Sequence, residues 1–204
     1  LTYKELNKKA NSLADYLVKN GITNKDIVGI VLSRSFDLII AIYAVIKSGA
    51  TYTLINTSLP KKRINYIIND TKAKYCIINN ENADLVDTPN TINIDNFDYD
   101  EFNCANQNRT YLNNLCIIYT SGSTGHPKGV LLHKKGILNL IQAFDKEMDI
   151  SKFKRILGIA SISFDMFAFE LFHSTLFGNT LVLANKVEQK NPIAMSNLIK
   201  NSNI

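Results

Sequence analysis

Short β-branched runs alternate with helix-period segments along almost the whole chain, and that alternation restricts it to a mainly parallel sheet covered by helices. Thr2 and Glu5 stand at capping-box spacing, and Leu6, Ala10, Leu13, Ala14 and Leu17 recur at helical intervals until Gly21 can close the helix. Ile27 to Leu32 reads as a strand, Leu38 to Ile46 as a helix apolar nearly all round and ended by Gly49, and Thr51 to Ile55 as the next strand. Pro60 suits the first turn of a third helix running through Ile68, and Tyr75 to Ile78 is a further strand. Leu115 to Tyr119 and Val130 to Leu132 are strands on either side of a polar turn. Beyond them come a helix at Ile137 to Met148, a strand at Ile156 to Ala160, a helix at Phe167 to Phe177 and a strand at Leu181 to Leu183. The fold class is therefore α/β.

Asn79 to Asn114 breaks this rhythm, being rich in Asn and Asp with one weak strand at Thr91 to Ile94, and reads as a polar surface connection. Asn201 to Ile204 carries no helix stop, so the chain reads as cut. At 204 residues and 46% hydrophobic content, one α/β domain with a sizeable core is the default. The net charge of +5 comes from scattered basic residues, which form a solvated face rather than a nucleic-acid footprint. No apolar run approaches the roughly 18 to 20 residues of a membrane span, and the amino terminus opens on an amphipathic helix rather than a signal sequence. A cytoplasmic protein is expected, without membrane or nucleic-acid partners. Cys76 and Cys116 lie in apolar strand-like runs and Cys104 in a polar stretch, with neither CxxC spacing nor a nearby His cluster, so they read as buried or free thiols.

The segment Tyr119 to Gly129, YTSGSTGHPKG, carries the chemistry. Gly122, Gly125 and Gly129 let backbone N–H groups approach an anion, while Thr120, Ser121, Ser123 and Thr124 add hydroxyl donors and Lys128 adds positive charge. Pro127 fixes one backbone angle beside the lysine. The spacing is not that of a Walker loop, which needs four residues between its first glycine and a Gly-Lys pair followed by Ser or Thr. The segment reads as a phosphate-handling loop held between two strands.

With that loop, the chain resembles the adenylate-forming superfamily, which includes acyl-CoA synthetases, luciferases and the adenylation domains of nonribosomal peptide synthetases. LTYKEL at Leu1 to Leu6 is similar to the opening motif of adenylation domains, IKSGATYTLINTSLP at Ile46 to Pro60 to the second, and Tyr119 to Gly129 to the third. Phe164 to Glu170 resembles the aromatic-Asp segment that lines the amino-acid pocket, although Phe167 stands where the family often has Ser. His133 and Asn139 sit where the family tends to place a His and an Asn, and read as supporting hydrogen-bonders.

The resemblance implies ATP-dependent activation of an amino acid as aminoacyl-AMP with release of pyrophosphate, followed by transfer to the phosphopantetheine thiol of a peptidyl carrier protein domain. Such an AMP-forming ligase would belong to antibiotic biosynthesis. Thr120 and Lys128 would act in the chemistry, and Thr120, Ser121, Gly122, Ser123, Thr124, Gly125 and Lys128 would hold ATP, with Mg²⁺ bridging its phosphates. Asp165 would pair the substrate ammonium, and Met166 and Phe169 would line its pocket. An aspartate among aromatic residues is costly unless paired, which fits an ammonium ligand; an Asp before a helix also fits a cap, and it can serve as both. Met166 and Phe169 fit core packing as well, and Glu170 reads as structural.

The 204 residues are expected to be the amino-terminal subdomain of an adenylation domain whose carboxy-terminal subdomain lies elsewhere, and to be inactive alone. A D-alanine–carrier protein ligase, an acyl- or aryl-CoA ligase and a non-catalytic nucleotide-binding module are the alternatives.

Overall fold

A computed structural model describes residues 1–101, 110–120 and 127–204. Two compact units divide the chain, Leu1–Leu132 and His133–Ile204, where composition had suggested one domain by default. In the first, α1 (Tyr3–Lys19) opens on the expected capping box, with the Thr2 side chain accepting from the Glu5 N–H and the Glu5 carboxylate accepting from the Thr2 N–H at 2.7 Å. Next come β1 (Ile27–Ile30), α2 (Phe36–Ser48), β2 (Thr51–Leu54), α3 (Lys61–Thr71) and β3 (Tyr75–Ile78). The edge strand β4 (Thr91–Asn93) precedes β5 (Asn114–Thr120) and β6 (Lys128–His133).

These strands form one sheet in the order β4-β3-β1-β2-β5-β6. The pairs β1–β2, β1–β3, β2–β5 and β3–β4 are parallel, as the sequence pattern requires. Chain travel runs outward from β1 to β2 and then back across β1 to β3. Right-handed crossovers in opposite directions put α2 and α3 on opposite faces. Strands covered on both faces become apolar throughout, and Val28, Ile30, Tyr52, Cys76 and Ile77 are all buried. Gly29 lies under α3, where an added Cβ would sit 3.0 Å from the Cys76 sulfur. Cys76 and Cys116 are buried thiols outside any disulfide, as expected, and burial pushes the Cys76 thiol up to about 12. Cys104 lies outside the described residues.

Asn79 to Asn114 is more than a surface connection. A 3-10 turn at Asn80–Leu85 packs Leu85 against the α3 core, and β4 extends the sheet with Ile92 buried. The weak strand expected near Thr91 is present because its backbone hydrogen-bonds to β3, which its own residues cannot disclose.

The second unit contains α4 (Lys134–Met148), β7 (Arg155–Gly158), α5 (Asp165–Leu176), β8 (Thr180–Leu183), α6 (Lys186–Lys190) and α7 (Pro192–Asn201). β7 and β8 pair in parallel, and Phe144 of α4 packs on Phe169 of α5 with ring centroids 5.0 Å apart. The helix stop missing from the sequence reading at Asn201 to Ile204 exists. Asn203 takes a left-handed φ of 51°, and the Ile204 N–H returns to the Ile199 carbonyl at 3.1 Å.

Gly49 ends α2 at φ 92°, and a Cβ there would meet the Thr110 carbonyl oxygen at 3.1 Å; Gly21 has φ 81°, and a Cβ there would meet only the end of the Lys74 side chain, at 4.0 Å. Both Gly→Ala substitutions incur the left-handed penalty of about 1 to 2 kcal/mol. Gly49→Ala is expected to destabilise the intact protein by more than Gly21→Ala, because only Gly49 faces a backbone atom. Urea unfolding midpoints of the two variants check this, and equal losses would refute the steric part.

Candidate active site

The phosphate-handling segment begins at the carboxyl end of β5, on the edge where open α/β sheets bind ligands. Its ends are strand residues rather than loop. Tyr119 ends the expected strand and Thr120 extends β5 by one residue, while Lys128 and Gly129 belong to β6, so the polar turn is shorter at both ends than expected. Ser121, Gly122, Ser123, Thr124 and Gly125 lie outside the described residues. β5 and β6 are sheet neighbours joined by seven residues, too few for a parallel crossover, so they form an antiparallel hairpin.

A Cβ on Gly129 would meet Ile117 at 3.0 Å and the Tyr119 ring at 3.2 Å, so Gly129 faces these two residues of β5. Strand alternation then directs Thr120 and Lys128 to the opposite face of the hairpin. Both are exposed, offering a hydroxyl and an ammonium to solvent at the sheet edge. Pro127 is buried beside them. Behind them the Tyr119 phenol donates to the Asp70 carboxylate at 2.5 Å. Burial, and then the Asp70 charge, hold that phenol well above its ordinary pKa, so it remains a donor.

In the second unit Asp165 is the first residue of α5, not its cap. Phe164 holds the N-cap position without a side-chain bond, and the Asp165 carboxylate accepts from the Met166 N–H at 2.9 Å. A carboxylate in the first turn is favoured by the helix dipole, so the helix-terminus role read from sequence is kept one position further on. Asp165 is exposed, flanked by Phe164 and Met166, which are 63% and 44% exposed. The desolvation expected from its aromatic neighbours is therefore absent among the described residues. Phe169 points inward instead, between Phe144 and His173.

Glu170 is structural, as read. Its buried carboxylate accepts from the Ile159 N–H at 3.2 Å and the Ala160 N–H at 3.0 Å, fixing the segment that leads to Asp165. His133 and Asn139 are exposed, and the His133 side chain does not cap α4.

The sequence reading passed over Asp70 and His173. Asp70 lies 49 residues from Tyr119, and no spacing rule connects them. His173 is fully buried, stacked near Phe177 at 4.7 Å, with neither ring nitrogen hydrogen-bonded. Its position on the inner stripe of α5 was the available signal. Among the described residues no group of three or more His, Cys, Asp and Glu could hold a metal ion. Among those residues, too, no helix is long and apolar enough to cross a membrane.

Residues 1–204 match the family of AMP-binding enzymes. The chain is 36% identical over 192 residues to gramicidin S synthase 1 of Brevibacillus brevis, covering 91% of this chain and 18% of that protein. It is 34% identical over 214 residues to bacitracin synthase 3 of Bacillus licheniformis, covering 100% of this chain and 3% of that one. The chain thus spans less than a fifth of the length of these curated relatives. The nonribosomal peptide synthetase FmoA3 shares the fold at TM-score 0.90 and 22% identity, over 100% of this chain and 22% of that one. A fatty acyl CoA synthetase of Mycobacterium tuberculosis shares it at TM-score 0.84 and 24% identity, over 98% of this chain and 41% of that one.

Burial lowers the His173 pKa, with Asp145 opposing it more weakly. A histidine kept neutral by the fold contributes stability that is fully present above its unfolded pKa of about 6.5 and is lost as pH falls below that toward the folded value. The unfolding midpoint of the intact protein should therefore drop between pH 7 and pH 5, and less steeply in His173→Leu. Parallel pH profiles for the two proteins would show that His173 is not a source of the drop.

Proposed function

The chain belongs to the AMP-binding enzyme family, and from that membership we propose that the protein containing it activates an amino acid with ATP and passes it to a carrier protein. One carboxylate oxygen of the amino acid attacks the α-phosphorus, the bond to the β-phosphate bridging oxygen breaks, and pyrophosphate leaves. The phosphopantetheine thiol of the carrier domain then attacks the acyl carbon, releasing AMP. The first step drives one anion into another, so positive charge and hydroxyl donors must meet the phosphates. Thr120 and Lys128 supply these groups at the ends of β5 and β6, and Ser121, Gly122, Ser123, Thr124 and Gly125 complete the proposed cradle. Mg²⁺ bound to the phosphates would neutralise the departing pyrophosphate.

The exposed Asp165 carboxylate carries the substrate class. It lies free to meet an ammonium, beside the exposed side chains of Phe164 and Met166, which supply apolar surface for a substrate side chain. The likeness of the whole chain to gramicidin and bacitracin synthases supports an amino-acid substrate over a fatty or aryl acid.

Lys128→Ala in the intact enzyme should remove one charge-assisted contact to phosphate, costing about 1.5 to 3 kcal/mol in kcat/KM for ATP. The KM for the amino acid should change little. Steady-state pyrophosphate exchange measures both, and an unchanged ATP response would remove Lys128 from the phosphate site.

Asp165→Asn keeps a hydrogen-bond acceptor for the Met166 N–H but discards the charge. Because Asp165 is exposed, the loss should correspond to an exposed charge-assisted contact, roughly tenfold to a hundredfold in kcat/KM for the cognate amino acid. Comparing that amino acid with its des-amino analogue checks the reading. Retained preference for the amino acid in Asp165→Asn would reduce Asp165 to a helix-terminus role, and exchange driven equally well by fatty or aryl acids would favour a CoA ligase.

A further inference from the structure

Two residues flanking the phosphate segment are locally unfavourable, and one contact accounts for both. Asp70 sits in the last turn of α3, where the helix dipole disfavours an anion, and α3 has no basic residue in that turn. Gly129 sits inside β6, where glycine weakens a strand, without a positive φ to require it. Both converge on Tyr119. The phenol donates to Asp70 at 2.5 Å, and the ring, together with Ile117, fills the space that a Gly129 side chain would need, at 3.2 Å and 3.0 Å from its Cβ position. The ring also packs against the cluster that contains Ile64, Ile67 and Ile68 of α3.

We propose that Tyr119, seated on Gly129 and tethered by Asp70, is a positioning residue that sets the register of Thr120 and Lys128 toward nucleotide phosphates. The inference rests on the reading that Thr120 and Lys128 meet phosphate. Thr120 follows Tyr119 in β5, and Lys128 precedes Gly129 in β6. A rotation or slip of either strand end that separates Tyr119 from Gly129 therefore also moves the two phosphate ligands. Burial and the neighbouring Asp70 raise the pKa of the phenol, which keeps it the donor in this contact. Tyr119 does not touch the substrate in this role; it acts through its chain neighbours.

The test uses the intact protein and two readouts: the Kd of MgATP by calorimetry, and the separate KM values for ATP and amino acid in pyrophosphate exchange. Tyr119→Phe keeps the ring on Gly129 and removes the tether, and Asp70→Ala removes the tether from the other side. Each should weaken MgATP binding about fivefold to twentyfold with the amino-acid KM within about twofold. Asp70→Asn retains an acceptor and should recover most of the affinity. Gly129→Ala should reproduce the ATP defect by displacing the ring.

Lys128→Ala serves as the reference. If it weakens MgATP binding while Tyr119→Phe and Asp70→Ala do not, the clamp is wrong and the phosphate reading stands. If Lys128→Ala has no effect either, the phosphate reading fails and takes the clamp with it. A fall in unfolding midpoint with an unchanged Kd at a temperature where the variants remain folded also overturns the proposal, since it marks a purely structural contact. A defect in Kd without any amino-acid-dependent exchange in wild type supports the clamp and sinks only the amino-acid reading.

Discussion

The parallel pairing of β5 with β2 is the constraint on which the candidate site depends. Tyr52 lies opposite Cys116 and Thr53 opposite Ile117, and the Thr53 hydroxyl adds a bond to the Ile117 carbonyl at 3.1 Å. This register joins a strand from beyond residue 110, and β6 after it, to the four strands built from residues 27 to 93. It sends the carboxyl end of β5 out at the edge where the other parallel strands also end. Thr120 lies exposed at that edge, where open α/β sheets leave polar groups in reach of solvent.

From that pairing the local chemistry follows in order. β5 is seven residues long against four in β2, so its last residues extend past its partner. Tyr119 uses the overhang to reach α3, and Thr120 is left at the tip. β6 returns antiparallel and brings Lys128 back beside it. A lysine on a strand has fewer positions open to it than one on a loop. A side chain held this way needs less ordering to meet a partner, which is where preorganisation gains affinity.

The second unit solves a different problem with similar means. α5 must hold a carboxylate at its exposed end and an apolar stripe along its inner face. Asp165, Phe164 and Met166 occupy the first role, and Phe167, Phe169, Leu171 and His173 the second. Glu170 belongs to neither set. It turns inward and accepts from the backbone N–H groups of Ile159 and Ala160, holding the segment that leads into α5. Charge on one helix is therefore divided by position, exposed at the first turn and buried further along, where it serves the fold.

Much of the fold was legible because periodicity and punctuation are local properties. Thr2 with Glu5, Gly49 at φ 92° and the runs Ile27–Ile30 and Tyr75–Ile78 each declare themselves within a few residues. The motif from Tyr119 to Gly129 was legible for the same reason, since its glycines, hydroxyls and lysine are contiguous. What required the tertiary structure was every relation across distance: β4 joining the sheet, Asp70 reaching Tyr119, and Asp165 lying exposed rather than desolvated among its aromatic neighbours. The strand limits at Thr120 and Lys128 belong with these, because a strand ends where its partner stops supplying hydrogen bonds and not where its own side chains change character. The sequence by itself determined the α/β alternation, the polar phosphate segment and the family resemblance, all of which are written in neighbouring residues. Only the tertiary structure decided which face each side chain takes and what it meets there, because burial and pairing are properties of segments brought together by folding.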